Sequence, residues 1–304
     1  MEKLVFQVSE ETEGERLDKY LAAFVEGFSR SYLQKLIADG RLVINRKGCT
    51  KSSVTVKSGD EIVLEVPENV IPKILPENIP LDILYEDEDV IVVNKPKGMV
   101  VHPAAGHYEG TLVNALLYHC GDSLSGINGV LRPGIVHRID KDTTGSVIAC
   151  KNDMAHRFIA DELKEHRLIR KYECIVHGVF KEEEGTVSTL IGRDPKNRLK
   201  MAVIPSGGKD AVTHYRVLRT FREYSHVECV LETGRTHQIR VHMAHIGHPI
   251  LGDPLYCGLK SRYHTEGQCL HAGILGFPRP KDKKMIMTKA PLPDYFSHLL
   301  SILP

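Results

Sequence analysis

The sequence predicts an α+β protein: a small helix-and-hairpin domain, then a larger domain carrying a mostly antiparallel mixed sheet. Three observations predict it. The chain has 304 residues with 42% hydrophobic composition, more than one average domain and enough apolar material for two cores. Pro67, Pro72, Pro76 and Pro80 punctuate a stretch without periodicity, and proline fixes φ and lacks a donor, so this stretch reads as an extended tether. Beyond it, strand-type alternation outnumbers helical periodicity, and no regular strand–helix–strand order appears. The division that follows is residues 1–67, a linker over 68–80, and residues 81–304.

Within the first domain, Leu4–Val8 alternates as a strand. Leu17, Leu21 and Phe24 mark one face of a helix. A second helix starts after Ser29 or Ser31 as N-cap, buries Leu33, Leu36 and Ile37, and ends at Gly40. Leu42–Ile44, a turn at Asn45-Arg46-Lys47-Gly48, and Glu61–Val66 after the turn Ser58-Gly59-Asp60 complete a small sheet. From Arg30 to Lys57 the chain carries seven cations (Arg30, Lys35, Arg41, Arg46, Lys47, Lys51, Lys57) against one acid, Asp39. Such a stripe fits a reader of phosphate backbone, and it also fits a solvated face.

In the second domain, Ile83-Leu84-Tyr85 and Val90–Val93 read as strands, with a turn at Asn94-Lys95-Pro96-Lys97-Gly98 and a helix at Leu112–Tyr118. After a strand at Ser146–Cys150, Asp153 caps a helix that buries Met154, Phe158, Ile159 and Leu163 and runs into a basic end, Arg167, Arg170 and Lys171. Tyr172–Val179, Val212–Leu218 and Val227–Leu231 alternate as strands, with Arg193–Lys200 a basic loop. Thr236 caps a helix with Ile239, Met243 and Ile246 inward and Gly247 at its end. Leu270–Leu275 is a last strand, and Asp294–Leu300 a last helix.

Composition excludes several classes. No apolar run approaches the roughly 18 residues needed to span a bilayer, and acidic, alternating Met1–Glu15 is no secretory signal. Seven scattered cysteines without a Cys-x-x-Cys pair read as reduced thiols in a cytoplasm. A net charge of +1 leaves any nucleic-acid argument to local patches.

The chemistry concentrates in Ile135-Val136-His137-Arg138-Ile139-Asp140-Lys141-Asp142-Thr143-Thr144-Gly145, a polar loop between apolar runs. Asp140, with Arg138 two residues before it and Arg240 on a distant helix, would be an ionised carboxylate. That is the form required to attack an anomeric carbon or take a sugar proton. By spacing alone the pair reads as an ordinary salt bridge, and Asp142 has no assignable role. Glycosidases add a second acid for the leaving group; an isomerase that never releases the base needs none. His237, His242, His245 and His248 raise a zinc reading, opposed by the lack of His-Glu-x-x-His and of cysteine in the cluster. Ser206-Gly207-Gly208-Lys209 lacks the spacing of a phosphate loop.

Several stretches carry a resemblance. Arg16-Leu17-Asp18-Lys19-Tyr20-Leu21, Ser29-Arg30-Ser31, Leu36-Ile37, Gly40 and Leu42-Val43-Ile44-Asn45 resemble the S4 RNA-binding module. His137 to Gly145 resembles the His-Arg-Leu-Asp signature of the RluA-type pseudouridine synthases, with Ile139 for leucine. Lys171-Tyr172 resembles that family's second motif. Gly234-Arg235-Thr236-His237-Gln238-Ile239-Arg240-Val241-His242, continued by His248-Pro249 and Gly252-Asp253, resembles its third. The wording Lys141–Gly145, Val101-His102-Pro103 and the attached S4 module look most like the large-subunit pseudouridine synthase D branch.

The resemblance implies an isomerase converting uridines of large-subunit ribosomal RNA, free or in a precursor particle, to pseudouridine; transfer RNA is the alternative target, and a non-catalytic assembly factor the alternative class. It implies Asp140 as the catalytic carboxylate, Tyr172 stacking on uracil and serving as or positioning the base for C5, and Arg240 as the ion-pair partner. Arg138 would fill the place of the flipped uridine. Arg30, Lys35, Arg41, Arg46, Lys47, Lys51 and Arg235 would contact RNA. No metal or cofactor is implied, since the product is an isomer, and the chain is expected to act as a monomer.

Overall fold

A computed structural model describes residues 2–25, 30–66, 74–103, 108–127, 129, 132–259, 261–263 and 265–304. The chain forms two compact units, Met1–Pro72 and Lys73–Pro304. Ser29, Pro67 and Pro72, read above as a cap and as part of the tether, lie outside the described residues.

The first unit runs β1 (Glu2–Gln7), α1 (Leu17–Phe24), α2 (Arg30–Ala38), β2 (Leu42–Ile44), β3 (Lys47–Gly48) and β4 (Glu61–Val66). Its sheet has the order β1-β4-β2-β3, antiparallel throughout. Leu17, Tyr20 and Leu21 of α1 meet Leu33, Leu36 and Ile37 of α2 over Leu42, Ile62 and Leu64. Phe24, expected inward, is 52% exposed: the buried face of this short helix is set by Leu17, Tyr20 and Leu21, and its last turn runs past the core. Asn45 and Arg46 both take positive φ (49° and 65°), the turn whose twist matches the flanking strands. Ser31 falls inside α2, so it does not cap it.

Asp18 explains how α1 and α2 are tied. Its buried carboxylate accepts from Arg16, from Arg30 (Nη2 at 3.0 Å) and from Gln34 Nε2 at 2.6 Å. The bond from Arg16 holds it well below the usual carboxylate range. Arg30 is therefore engaged at this junction, while Lys35, Arg46, Lys47 and Lys51 are exposed and Arg41 is half-buried.

The second unit contains β5 (Ile83–Glu86), β6 (Val90–Lys95), α3 (Leu112–Cys120), β7 (Thr144–Cys150), α4 (Asp153–Lys164), β8 (Ile169–His177), β9 (Glu184–Arg193), β10 (Met201–Val203), β11 (Lys209–Thr220), β12 (Tyr224–Leu231), α5 (Gln238–His245), β13 (Leu270–Pro278), β14 (Met285–Lys289) and α6 (Asp294–Ile302). Among the described residues the strands form one ten-stranded sheet, ordered β10-β9-β11-β12-β8-β13-β7-β6-β5 with β14 beside β13. The β7–β13 pairing is parallel; the others are antiparallel, as expected for a mixed sheet of this kind.

Both faces of the central strands are covered, which is why β6 reads as a continuous apolar run. Ile91 and Val93 face α3 and α6, with Leu112, Leu116 and Phe296. Val90 and Val92 face α4, with Ala155 and Ile159. Gly145, at φ +108°, lies where β7 meets β13: a Cβ there would come within 2.3 Å of the Ala272 carbonyl oxygen.

Several expectations need correction. Ile74 sits in the core of the second unit, and Asn114 donates to the Leu75 carbonyl at 2.8 Å while accepting from Glu77 N at 3.0 Å. Composition marks residues 68–80 as tether, but the Leu75 carbonyl and Glu77 N are held by the second unit. Asn152, not Asp153, caps α4 by accepting from Ala155 N at 2.8 Å. Met154 is 61% exposed, because α4 buries Ala155 and Ile159 instead. α4 ends at Lys164, so Arg170 and Lys171 belong to β8 rather than to a helix end. His237, at φ +57°, stands at the N-cap of α5 where Thr236 was expected. Strands β9, β10 and β14 were not foreseen.

Candidate active site

The loop that carries Asp140 is held from several directions. Ile139 is buried in the core and anchors it from below. The Asp140 carbonyl accepts from Thr143 N at 3.1 Å, closing a tight turn. Gln268 Nε2 donates to Thr143 Oγ1 at 3.1 Å, and Thr144 Oγ1 meets His271 Nδ1 at 2.8 Å. His137 Nε2 accepts from Ile148 N at 3.1 Å, replacing a strand partner along β7; burial and then the charge of Arg170 push this imidazole down to about 4.

Lys95, which the sequence placed in a turn, is fully buried. Its Nζ donates to the carbonyls of Pro96 and Met99 at 2.8 Å and of Lys141 at 2.9 Å, binding the β6 exit to the Asp140 loop. Burial lowers it to about 7, against the opposing pull of Asp142 and Asp140. An ammonium with three carbonyl acceptors is satisfied without a paired carboxylate.

Arg240 reaches Asp140 from α5. Its Nη1 donates to Asp140 Oδ2 at 2.8 Å, and its Nε and Nη2 fork onto Asp253 at 2.7 and 2.9 Å. Burial works against the guanidinium's charge, but the bonds and charges of Asp253 and Asp140 more than offset it and raise its pKa. Asp253 Oδ1 also accepts from Leu255 N and Tyr256 N at 2.9 and 3.0 Å. Asp253 thus aims Arg240; the sequence showed it only as part of a motif.

The other oxygen of Asp140, Oδ1, lies 3.8 Å from His237 Nε2. Met201 N donates to the Tyr256 hydroxyl at 2.8 Å, and that hydroxyl lies 2.8 Å from His237 Nδ1. Gln238 steadies the preceding loop by accepting from Thr233 Oγ1 and Arg235 N at 2.8 and 2.9 Å.

A cavity of about 580 Å3 opens over these groups, lined by Asp140, Arg138, Tyr172, Arg170, Arg235 and Arg240 among others. Asp140, Tyr172 and Arg240, drawn from three separate stretches of sequence, therefore share one cleft. Tyr172 comes from the centre of the sheet, and burial raises its phenol, which stays protonated at neutral pH. Arg138 is exposed at the cleft, with Nη1 3.4 Å from His102 Nε2. Burial, then Arg138, pushes His102 to about 4, so it is neutral. Arg235 is half-buried, its Nε on the Asp210 carbonyl at 2.7 Å.

Asp142 does not line this cavity; it lies against Gly267. The four histidines of the third motif do not converge. His242 sits between Thr189 and Thr213, and His248 donates to the His177 carbonyl at 2.9 Å. His237 turns to Tyr256 and Asp140, and His245 is exposed. Among the described residues no group of three or more His, Cys, Asp or Glu side chains could hold a metal ion.

An arginine-held carboxylate and a tyrosine in one cleft lined by further arginines suit a base taken out of its stack, as in an enzyme acting on nucleic acid. Comparison with known proteins narrows the class. Residues 89–245 match the RNA pseudouridylate synthase family, and residues 15–62 match the S4 domain. An uncharacterized RNA pseudouridine synthase of Bacillus subtilis is 49% identical over 99% of this chain and 98% of its own length. Ribosomal large subunit pseudouridine synthase D of Zymomonas mobilis is 45% identical over 97% of this chain and 96% of its own. Human RNA pseudouridylate synthase domain containing 1 shares the fold, with TM-score 0.57 and 24% identity, over 74% of this chain and 95% of that one. The chain belongs to the RNA pseudouridylate synthase family, and it is an RNA pseudouridine synthase with an S4 domain.

Proposed function

We propose that this enzyme isomerises specific uridines of large-subunit ribosomal RNA, acting as a monomer in the cytoplasm, with Asp140 as its catalytic carboxylate. The observation that carries the site is the 2.8 Å bond from Arg240 to one oxygen of Asp140 inside the cavity that Tyr172 lines. Arg240 occupies Oδ2 and leaves Oδ1 as the oxygen available to the ribose of the flipped uridine. Flipping costs a few kcal/mol, offset in part by stacking of uracil on Tyr172 and by Arg138 entering the vacated position. The glycosidic bond to N1 breaks, the uracil turns within the cleft and the sugar carbon bonds to C5; a base then takes the C5 proton and N1 gains one, so that the product is an isomer. Because burial keeps the Tyr172 phenol protonated, its part is an aromatic platform and a hydroxyl that positions the proton acceptor. The ribosomal target rests on the relatives named for it, such as that of Zymomonas mobilis.

The test is Asp140→Asn in a tritium-release assay on uridine-labelled transcript, together with mapping of pseudouridine in cellular RNA with and without the protein. The expected result is loss of turnover with RNA affinity retained. Residual turnover within about tenfold of wild type sinks the assignment of Asp140, and missing sites confined to transfer RNA move the substrate there.

A further inference from the structure

β8 buries alternate residues, and three of them in succession are Arg170, Tyr172 and Cys174. Period-two alternation assigns such positions to apolar side chains, yet the first is an arginine only 6% exposed. Its contacts do not account for its charge. Nη2 donates to the Glu232 carbonyl at 2.7 Å. Nε is buried without a hydrogen-bond partner. Arg170 forms no ion pair with a carboxylate among the described residues, and burial pushes its pKa down. Removing one partner from a buried ion pair leaves an uncompensated charge at about 3–5 kcal/mol, so a lasting arrangement of this kind requires a reason.

The surroundings supply one. Arg170 lines the same cavity as Asp140 and Tyr172. Asp140 is the one carboxylate among the described residues that line it, and its ion-pair partner is Arg240, not Arg170. Arg138, Lys164 and Arg235 line it too, so cations outnumber the single carboxylate in the cleft. The backbone is shaped for the guanidinium: a Cβ on Gly234 would lie 2.6 Å from Arg170 Nη1. The guanidinium thus lies close against the main chain at the third motif.

We propose that Arg170 is a substrate-binding residue that pairs with a phosphodiester adjoining the target uridine. A neutral uracil carbonyl would leave the charge uncompensated, whereas a phosphate offers the paired acceptors that a guanidinium fork fits. Anchoring the backbone beside the flipped nucleotide would hold the ribose over Asp140 while the base turns. The proposal rests on RNA being the substrate, and its test begins from a short RNA that the wild-type enzyme already converts.

That RNA is prepared with a single uncharged methylphosphonate linkage, placed on the 5′ or the 3′ side of the target uridine. Single-turnover rates are then measured against enzyme concentration. One of the two linkages is expected to raise the half-saturating concentration of the wild-type enzyme by roughly tenfold, the scale of a charged hydrogen bond. Arg170→Met should show a similar rise on all-phosphate RNA and a salt slope shallower by roughly 0.7–0.9. It should also be indifferent to that methylphosphonate, while Arg170→Lys recovers part of the affinity and of the sensitivity. The proposal is overturned if neither linkage moves the wild-type half-saturation, or if Arg170→Met stays as sensitive to the neutral linkage as the wild type. Should Arg170→Met fail to fold, Arg170→Lys carries the test: affinity and linkage sensitivity both unchanged from the wild type overturn the proposal.

Discussion

Replacing Asp253 by asparagine separates the aiming of Arg240 from direct chemistry. The Asp253 side chain is fully buried. Its Oδ2 serves Arg240 Nε at 2.7 Å, while Oδ1 serves Arg240 Nη2, Leu255 N and Tyr256 N at 2.9, 2.9 and 3.0 Å. Asparagine has one carbonyl oxygen, which will stay on the side of the three donors. Its amide nitrogen then faces Arg240 Nε, donor against donor. One unmade bond at a buried charged group costs about 1–3 kcal/mol. With one of Arg240's two carboxylates also neutralised, the loss of stability should be about 2–4 kcal/mol. It is read from urea unfolding followed by circular dichroism, since the chain has no tryptophan. Arg240, left on Asp140 alone, should drift by a fraction of an ångström, enough to lower the saturating rate about 10- to 100-fold. Half-saturation by RNA should move less than threefold, because Asp253 presents no surface to a ligand. Stability within about 0.5 kcal/mol of wild type and a rate within twofold would refute the claim that this fork positions Arg240.

Lys95→Met should leave the Pro96, Met99 and Lys141 carbonyls without their donor and destabilise the enzyme by about 3 kcal/mol or more. The saturating rate should fall more than RNA affinity; unchanged unfolding would contradict the role assigned to its Nζ. His102, His137 and His242 are each pushed by burial from an ordinary 6.5 to about 4. Between those values the unfolded chain binds protons that the folded chain does not. Their contribution is thus intact above about pH 6.5 and falls toward pH 4, by about 1.4 kcal/mol per pH unit for each. Thermal unfolding at pH 7.5, 6 and 5 should show this decline, shallower in His242→Gln, and a flat profile refutes it. In the S4 unit, reversal of Lys35, Arg46 and Lys47 to glutamate should weaken RNA capture and flatten its salt slope by roughly 0.7–0.9 per lost contact. The saturating rate should hold. Arg30 is left out because it pairs with Asp18, and a changed saturating rate with unchanged salt slope would overturn the clamp reading.

The sequence by itself determined the elements whose signal is local. β4 appears at its expected bounds, and α2 buries Leu33, Leu36 and Ile37 as its periodicity demands. The loop His137–Gly145 and the motif at Gly234–His242 were legible because their residue types and order have few other uses. Caps were misassigned by one residue, Asn152 for Asp153 and His237 for Thr236, because neighbouring polar side chains compete for the same backbone donors and the surrounding chain chooses between them. Phe24 and Met154 went outward because a periodicity names a stripe, while the partner across the core decides how wide that stripe is.

Tertiary structure alone decided which distant groups share the cleft. Arg240 meets Asp140 across 100 residues, and Lys95 Nζ reaches the Lys141 carbonyl across 46. The first pairing was expected through the resemblance of the two motifs, whereas nothing local at either end of the second encodes the other. β9 and β10 escaped notice because β9 buries only some of its residues, in the order eieBeiiBie, without strict alternation, and β10 has only three residues. Arg170 and Lys171 read as the basic end of a helix until β8 put Arg170 on the buried face beside Tyr172. Charge in a sequence carries no sign of its surroundings. Whether a guanidinium is solvated, paired or buried and waiting for an anion depends on which strands close over it, and only the folded sheet supplies that.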